Sequence, residues 1–173
     1  MLNLILKPHS KQAISTIIFL GAFLPLAAAL ISQYGFGLHP CDLCIYQRIP
    51  FIVIMAFSFP AIFLGRAKTL VFVIIMCIFA YMANVGLSFY HMGVEYGWWK
   101  FGDCTADLDT SSFEALKASI LNAEVVRCDE VQFSFLGLSM AGWNFIYSIA
   151  SSFYLSYLLY IVAKDTSTED LVK

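Results

Sequence analysis

Charge is scarce in this sequence. Asp, Glu, Lys and Arg together make up 13% of its 173 residues, whereas apolar residues make up 60%. A water-soluble globule is close to a quarter charged and half apolar, so a soluble fold around a single core is excluded and most of the chain must be solvated by lipid. Ten basic residues against twelve acidic ones leave a net charge of -2, and no basic block stands anywhere, which excludes a nucleic-acid partner. The sequence also lacks strand-type alternation in its apolar runs, internal repeats and low-complexity segments. Its length leaves room for one domain.

What is present is four apolar stretches, at about 13–33, 45–64, 69–90 and 135–162. Each approaches or exceeds the ~20 residues needed to cross a bilayer as helix. Only helices and closed barrels satisfy the backbone in hydrocarbon, and without alternation these stretches predict helices. The expected fold is an all-α integral membrane protein, a bundle of four transmembrane helices in one domain. Ala27, Ala28 and Ala29 imitate a signal cleavage site, but the apolar run continues through Leu30 and Ile31, so the first stretch reads as a retained helix. The last is long enough to tilt.

Lys7 and Lys11 precede the first helix, Arg66 and Lys68 occupy the second connection, and Lys164 and Lys173 follow the last helix. The connection 34–44 has no Lys or Arg, and 91–134 has three basic residues against eight acids. Basic connections stay in the cytoplasm, which predicts both termini inside and the loops 34–44 and 91–134 outside. In the longer loop, Ser111 with Glu114 fits a capping box. Phe113, Leu116 and Ile120 fall on one helical face there, with Leu121 adjacent. They predict a short amphipathic helix, either lying on the membrane surface or serving as an ordinary loop helix.

Four of the five cysteines, Cys41, Cys44, Cys104 and Cys128, fall in the two outward loops. Outside a bacterial inner membrane the environment is oxidising and disulfides persist. Cys41-Asp42-Leu43-Cys44 is a C-x-x-C pair after Pro40 and just before helical periodicity begins at Ile45. The unpaired N–H groups and partial positive charge of a first helical turn favour a thiolate, and such thiols fall below the ordinary ~8.5. Arg48, four residues after Cys44, shares its helical face and is expected to place a permanent positive charge near that sulfur. Taken alone, Arg48 reads as a snorkelling anchor, and the C-x-x-C reads as a zinc half-site or a plain disulfide. Zinc would call for a second tight pair, whereas 23 residues separate Cys104 from Cys128; no metal is expected. A bridge between those two would either staple the loop or, on an exposed segment with little apolar content, lie open to attacking thiolates. Cys77, between Met76 and Ile78, reads as a packing residue.

The run Cys41-Asp42-Leu43-Cys44-Ile45-Tyr46-Gln47-Arg48 resembles the signature of the disulfide bond formation protein B (DsbB) family. So do the four-helix plan, the second cysteine pair in the long outer loop, and the entry to the last helix at Cys128–Met140. The stretches Gly93–Trp99 and Ser139–Asn144 are similar to a DsbB-like branch found in alphaproteobacteria. The resemblance implies a quinone-dependent thiol oxidase of the bacterial inner membrane, with ubiquinone expected ahead of menaquinone. It implies a periplasmic DsbA-like partner of thioredoxin fold, disulfides Cys41–Cys44 and Cys104–Cys128, and attack by the partner at Cys104. It further implies exchange of Cys128 with Cys41, release of the Cys44 thiolate beside the quinone, and stabilisation of charge by Arg48. His91 would lie near the quinone by family position; read alone, it is an interfacial polar residue facing headgroups.

Tyr96, Trp98 and Trp99 read as an aromatic belt, and Asn84, Ser148 and Ser152 as residues that pack or hydrogen-bond between helices. Gln47 and Glu95 are candidates for supporting contacts. The rival reading is a non-catalytic membrane protein with two static structural disulfides. A four-helix enzyme of the vitamin K epoxide reductase type resembles this chain in plan, but carries its C-x-x-C near the last helix.

Overall fold

Pro50 cannot donate to the carbonyl four residues before it, and its ring crowds that carbonyl. A continuous helix through residues 45–64 is therefore interrupted. The computed structural model, which describes residues 8–101, 112, 127–131 and 133–172, shows a short α2 (Asp42–Tyr46), a turn at Gln47, and then α3 (Arg48–Leu64). Before them runs α1 (Pro8–Phe36), and after them α4 (Ala67–Glu95). A two-stranded hairpin, β1 (Ser134–Phe135) and β2 (Leu138–Ser139), leads into α5 (Met140–Val172). Cys104, and all but Ser112 of the short helix expected at 111–121, lie outside the described residues.

Four segments are long and apolar enough to cross a membrane: Lys11–Phe36, Asp42–Leu64, Ala67–Glu95 and Met140–Lys164. The chain is thus an all-α, multi-pass membrane protein of four spans, as its composition predicts. The helices overrun the apolar stretches at several ends because polar residues that reach the interface continue the backbone ladder at no cost in hydrocarbon. The fourth stretch departs from expectation at its start. Residues 134–139 pair antiparallel, Ser134 with Ser139 and Phe135 with Leu138. Leu136 and Gly137 between them both have positive φ, 53° and 79°. That is the sense of twist a two-residue hairpin loop needs, and glycine supplies it without strain. Helix begins only at Met140.

Neighbouring helices in the sequence are neighbours in space: α1 packs on α3, α3 on α4, and α4 on α5. Their shared core holds Ile18, Ala22, Phe51, Ile54, Ile74, Cys77, Tyr81 and Leu155. Large apolar side chains such as Leu24, Phe63, Phe79 and Phe153 point outward, the arrangement of a bundle whose solvent is lipid. A second, smaller cluster of Cys41, Leu43, Val94 and Cys128, flanked by Cys44, Trp99 and Phe101, closes the loop-rich end.

The contact between α1 and α5 has a specific cause. Pro25 lies inside α1 and has no N–H for the carbonyl of Gly21. An unsatisfied carbonyl in hydrocarbon costs several kcal/mol, on the order of the loss of a full hydrogen bond. The Tyr147 hydroxyl on α5 donates to that Gly21 oxygen at 2.5 Å. Residues of both helices also line a cavity that reaches the loop-rich end.

Candidate active site at the loop-rich end

Cys41 is the residue that caps α2, in extended conformation (φ -73°, ψ 169°), and its carbonyl accepts from the Ile45 N–H at 3.1 Å. Cys44 sits in the single turn that follows. The Cys41 thiol donates to the Cys44 sulfur across 3.1 Å. Cys41, Cys44 and Cys128 are free thiols in this structure, the first two in hydrogen-bond contact. The hydrogen bond to Cys44, joined by burial, pushes the Cys41 thiol up to about 12. Cys128, from the far loop, is buried against Cys41 and Leu43. Burial pushes its thiol up to about 12 as well, while the Leu43 backbone N–H pulls the other way. Two cysteines 87 positions apart in the chain are therefore in one cluster.

Beside the sulfurs runs a buried polar stripe. Asn84, Ser88, His91 and Glu95 recur at spacings of four, three and four on α4, which places them on one helical face. His91 Nε2 lies 3.5 Å from Cys41 Sγ and 3.9 Å from Glu95 Oε1. On the other side of the ring, the Gln47 amide nitrogen donates to His91 Nδ1 at 2.9 Å. Asn144 Nδ2 donates to Gln47 Oε1 at 2.8 Å. Asn84 Nδ2 donates to Asn144 Oδ1 at 3.1 Å and to Ser148 Oγ at 3.0 Å. Glu95 Oε2 accepts from the Ser139 hydroxyl at 2.5 Å, and Ser139 Oγ in turn accepts the Gly142 N–H at 3.1 Å. Ser139 thus caps α5 and fixes the carboxylate at once.

A cavity of about 380 Å³ opens against this face, bounded by Pro25, Leu26, Ala28, Ala29 and Ser32 of α1 and by Met140, Ala141, Trp143, Asn144 and Tyr147 of α5. Cys41, Cys44, Gln47, Arg48, His91 and Glu95 form its polar wall. Its volume is that of a small-molecule site, ~300–1,000 Å³ and largely apolar. Sγ of Cys41, Sγ of Cys44 and a ring nitrogen of His91 also lie within 4.8 Å of one another, a spacing that a thiophilic ion accepts. In this hydrogen-bond register, however, Nδ1 is the acceptor. The ring hydrogen is therefore on Nε2, facing the sulfur, where a metal would need a lone pair.

The structure brings together Cys41, Cys44, Cys128, Arg48 and His91 of the residues singled out from sequence; Cys104 lies outside the described residues. Arg48 shares the cavity with Cys44, but Nη1 donates to Gln33 Oε1 on α1 at 2.7 Å. The unbroken helix expected to carry Cys44 and Arg48 is interrupted at Gln47, and the polar group directly on the Cys44 sulfur is the Cys41 thiol. Tyr96 and Trp98 are exposed as a belt residue should be. Trp99 instead folds back over Gly93, donating Nε1–H to the Tyr90 carbonyl at 2.7 Å, and a methyl group at Gly93 would collide with its indole. Ser152 bonds within its own helix, to Ser148 O, whereas Asn84 and Ser148 do link α4 to α5. Sequence reasoning missed Gln33, Ser139, Asn144 and Tyr147; the spacing of polar residues on α4 was the available sign of a partner stripe on α5.

The family model for disulfide bond formation protein DsbB matches residues 11–158. A disulfide bond formation protein B of Saccharophagus degradans is 34% identical over 157 residues, spanning 82% of this chain and 89% of that one. One from Haemophilus influenzae is 32% identical over 136 residues, spanning 72% and 74%. An uncharacterized protein of Rickettsia prowazekii, RP370, is 23% identical over 159 residues, spanning 90% and 91%. With the family match covering most of its length and cysteines gathered at one end of a four-span bundle, this chain belongs to the DsbB family and is a disulfide-bond-forming membrane protein.

Proposed function

We propose that this protein is a quinone-dependent thiol oxidase of the bacterial inner membrane. It reoxidises a periplasmic dithiol protein of thioredoxin fold, DsbA-like, and passes two electrons to a membrane quinone, ubiquinone ahead of menaquinone. Both termini lie in the cytoplasm. The observation that supports this most is the meeting of Cys41, Cys44 and Cys128 in one cluster, with Cys41 and Cys44 on the wall of a largely apolar cavity between α1 and α5. A water-borne dithiol reaches sulfur through the loop, and a lipid-borne acceptor reaches it through the gap between the helices.

In the oxidised protein the partner's thiolate attacks Cys104 of a Cys104–Cys128 bridge. A partner–Cys104 bond forms, and Cys128 leaves with the electron pair. Burial disfavours charge on Cys128, so this thiolate is a basic and hence strong nucleophile. It attacks Cys41, the Cys41–Cys44 bond breaks, and Cys44 takes the pair. A quinone held in this cavity would supply a two-electron, two-proton acceptor. Cys44 and Arg48, both on the cavity wall, would line it. The partner's second thiol resolves its bond to Cys104, Cys104 then attacks Cys128 and displaces Cys41, and re-forming the Cys41–Cys44 bond gives up the two electrons that the acceptor would take.

Anaerobic mixing of the purified protein with a reduced thioredoxin-fold partner and quinone tests this. Quinol formation is followed optically. Cys44→Ala should abolish it, Cys104→Ala should prevent any covalent complex with the partner, and Cys77→Ala should change little. Arg48→Ala should slow quinone use by roughly tenfold or more, the loss of a charge-assisted contact, while leaving partner binding intact. Undiminished quinol production by Cys44→Ala would overturn the proposal.

A further inference from the structure

The polar residues between α4 and α5 are more numerous than helix association requires. Hydrogen bonds between membrane helices add little net association, because the separated helices also find partners. Asn84 and Ser148 are completely buried, and apolar residues would pack there at no desolvation cost. What the polar residues do have is direction. Asn84 donates to Asn144, Asn144 donates to Gln47, and Gln47 donates to His91 Nδ1. Each amide nitrogen can only donate and each amide oxygen only accept, so the orientation of one fixes the next. At the end of the chain, the imidazole has a single choice in its neutral form. Nδ1 accepts, Nε2 holds the hydrogen, and that hydrogen faces Cys41 Sγ at 3.5 Å with Glu95 Oε1 at 3.9 Å.

We propose that Asn84, Asn144 and Gln47 form a positioning chain that holds His91 as the Nε2–H tautomer, so that the ring donates a hydrogen bond to the Cys41 sulfur when that sulfur carries charge. The chain rests on the thiol-oxidase reading only for its purpose. Re-forming the Cys41–Cys44 bond takes two electrons and both thiol protons from the pair, the electrons passing to the quinone of that reading, and the Cys41 thiol must give up its proton before its sulfur bonds to Cys44. The side-chain bond to Cys44 and burial both oppose that ionisation, while the His91 donor, and less strongly the Cys44 backbone N–H, favour it. None of the three amides touches the reacting sulfurs; they act through the ring. Arg48 and Cys44 share the cavity wall but are engaged with Gln33 and Cys41 respectively, so neither sets the tautomer.

The test is nitrogen-15 NMR of histidine-labelled, reduced protein in detergent or nanodiscs, where only three histidines contribute. The His91 signals in wild type should show an unprotonated, hydrogen-bonded Nδ1 and a protonated Nε2. Gln47→Met should move Nδ1 towards the free, unbonded position or populate the Nδ1–H form, and Asn144→Leu should do the same to a smaller extent from one residue further away. Alkylation of Cys41 in the reduced protein should slow roughly tenfold in Gln47→Met, the effect of removing one aligned bond to a charged group. A protonated Nδ1 in wild type overturns the proposal, and this holds whether or not the variants fold. So does an Asn144→Leu spectrum identical to wild type at His91. Neither readout involves quinone or a partner protein, so a failure here is distinct from a failure of the oxidase assignment.

Discussion

At the scale of single residues, the site is governed by where sulfur is allowed to be charged. Cys41 and Cys128 are both held well above the ordinary thiol range, at about 12. The first is raised mainly by its hydrogen bond to Cys44 and the second by burial. Only the thiolate reacts with alkylating reagents. In the reduced protein, the maleimide reaction rate at either sulfur should therefore keep rising with unit slope through pH 9 and 10, where an ordinary thiol levels off. A plateau near pH 9 at Cys128 would show that its burial is not maintained in the membrane. A C-x-x-C motif read alone implies two activated thiols. The structure separates them, with Cys41 as hydrogen-bond donor and Cys44 as acceptor, and this difference comes from Cys41 being the capping residue and Cys44 lying in the turn.

At the scale of elements, proline decides more than the apolar pattern does. Pro50 divides the second span into α2 and α3, which places Gln47 in a turn from which its amide reaches both His91 and Asn144. Pro25 frees the Gly21 carbonyl for Tyr147, the tie beneath the cavity. These two residues should be energetically coupled. Tyr147→Phe should destabilise the protein by about 1–2 kcal/mol, the cost of leaving a carbonyl unpaired away from water. In a Pro25→Ala background, residue 25 regains an N–H for Gly21, and the same change should cost much less. Equal costs in the two backgrounds, measured by reversible unfolding in mixed micelles, would show that the tie owes nothing to proline. The periodicity of α4 was legible as a span. Its buried face of Asn84, Ser88, His91 and Glu95 was legible only as polar positions, because what faces it comes from other elements: Cys41, Gln47, Ser139, Asn144 and Ser148.

At the scale of the whole molecule, the loop-rich end must lie on the oxidising side if its cysteines are to work as a relay. The distribution of Lys and Arg implies that it does. Single cysteines placed at Gly37 and at Arg66, in a background lacking the native ones, should label oppositely with a membrane-impermeant maleimide: position 37 from outside the inner membrane, position 66 only after permeabilisation. The opposite result would exclude a periplasmic dithiol as electron donor. The cavity is lined by both the first and last helices, which meet at the Tyr147–Gly21 bond.

Composition and hydropathy alone determined that this chain crosses a membrane four times as helix, because the cost of an unpaired backbone in lipid admits few other outcomes. Local spacing also determined the C-x-x-C at the start of a helix, since a capping residue and its first turn are neighbours in the chain. Only the tertiary structure decided that Cys128 joins Cys41, that Arg48 turns to Gln33, and that a line of amides from α4 and α5 ends on His91. Those contacts join residues up to 97 positions apart. No periodicity in one segment specifies the register of another, and packing between helices is what sets it.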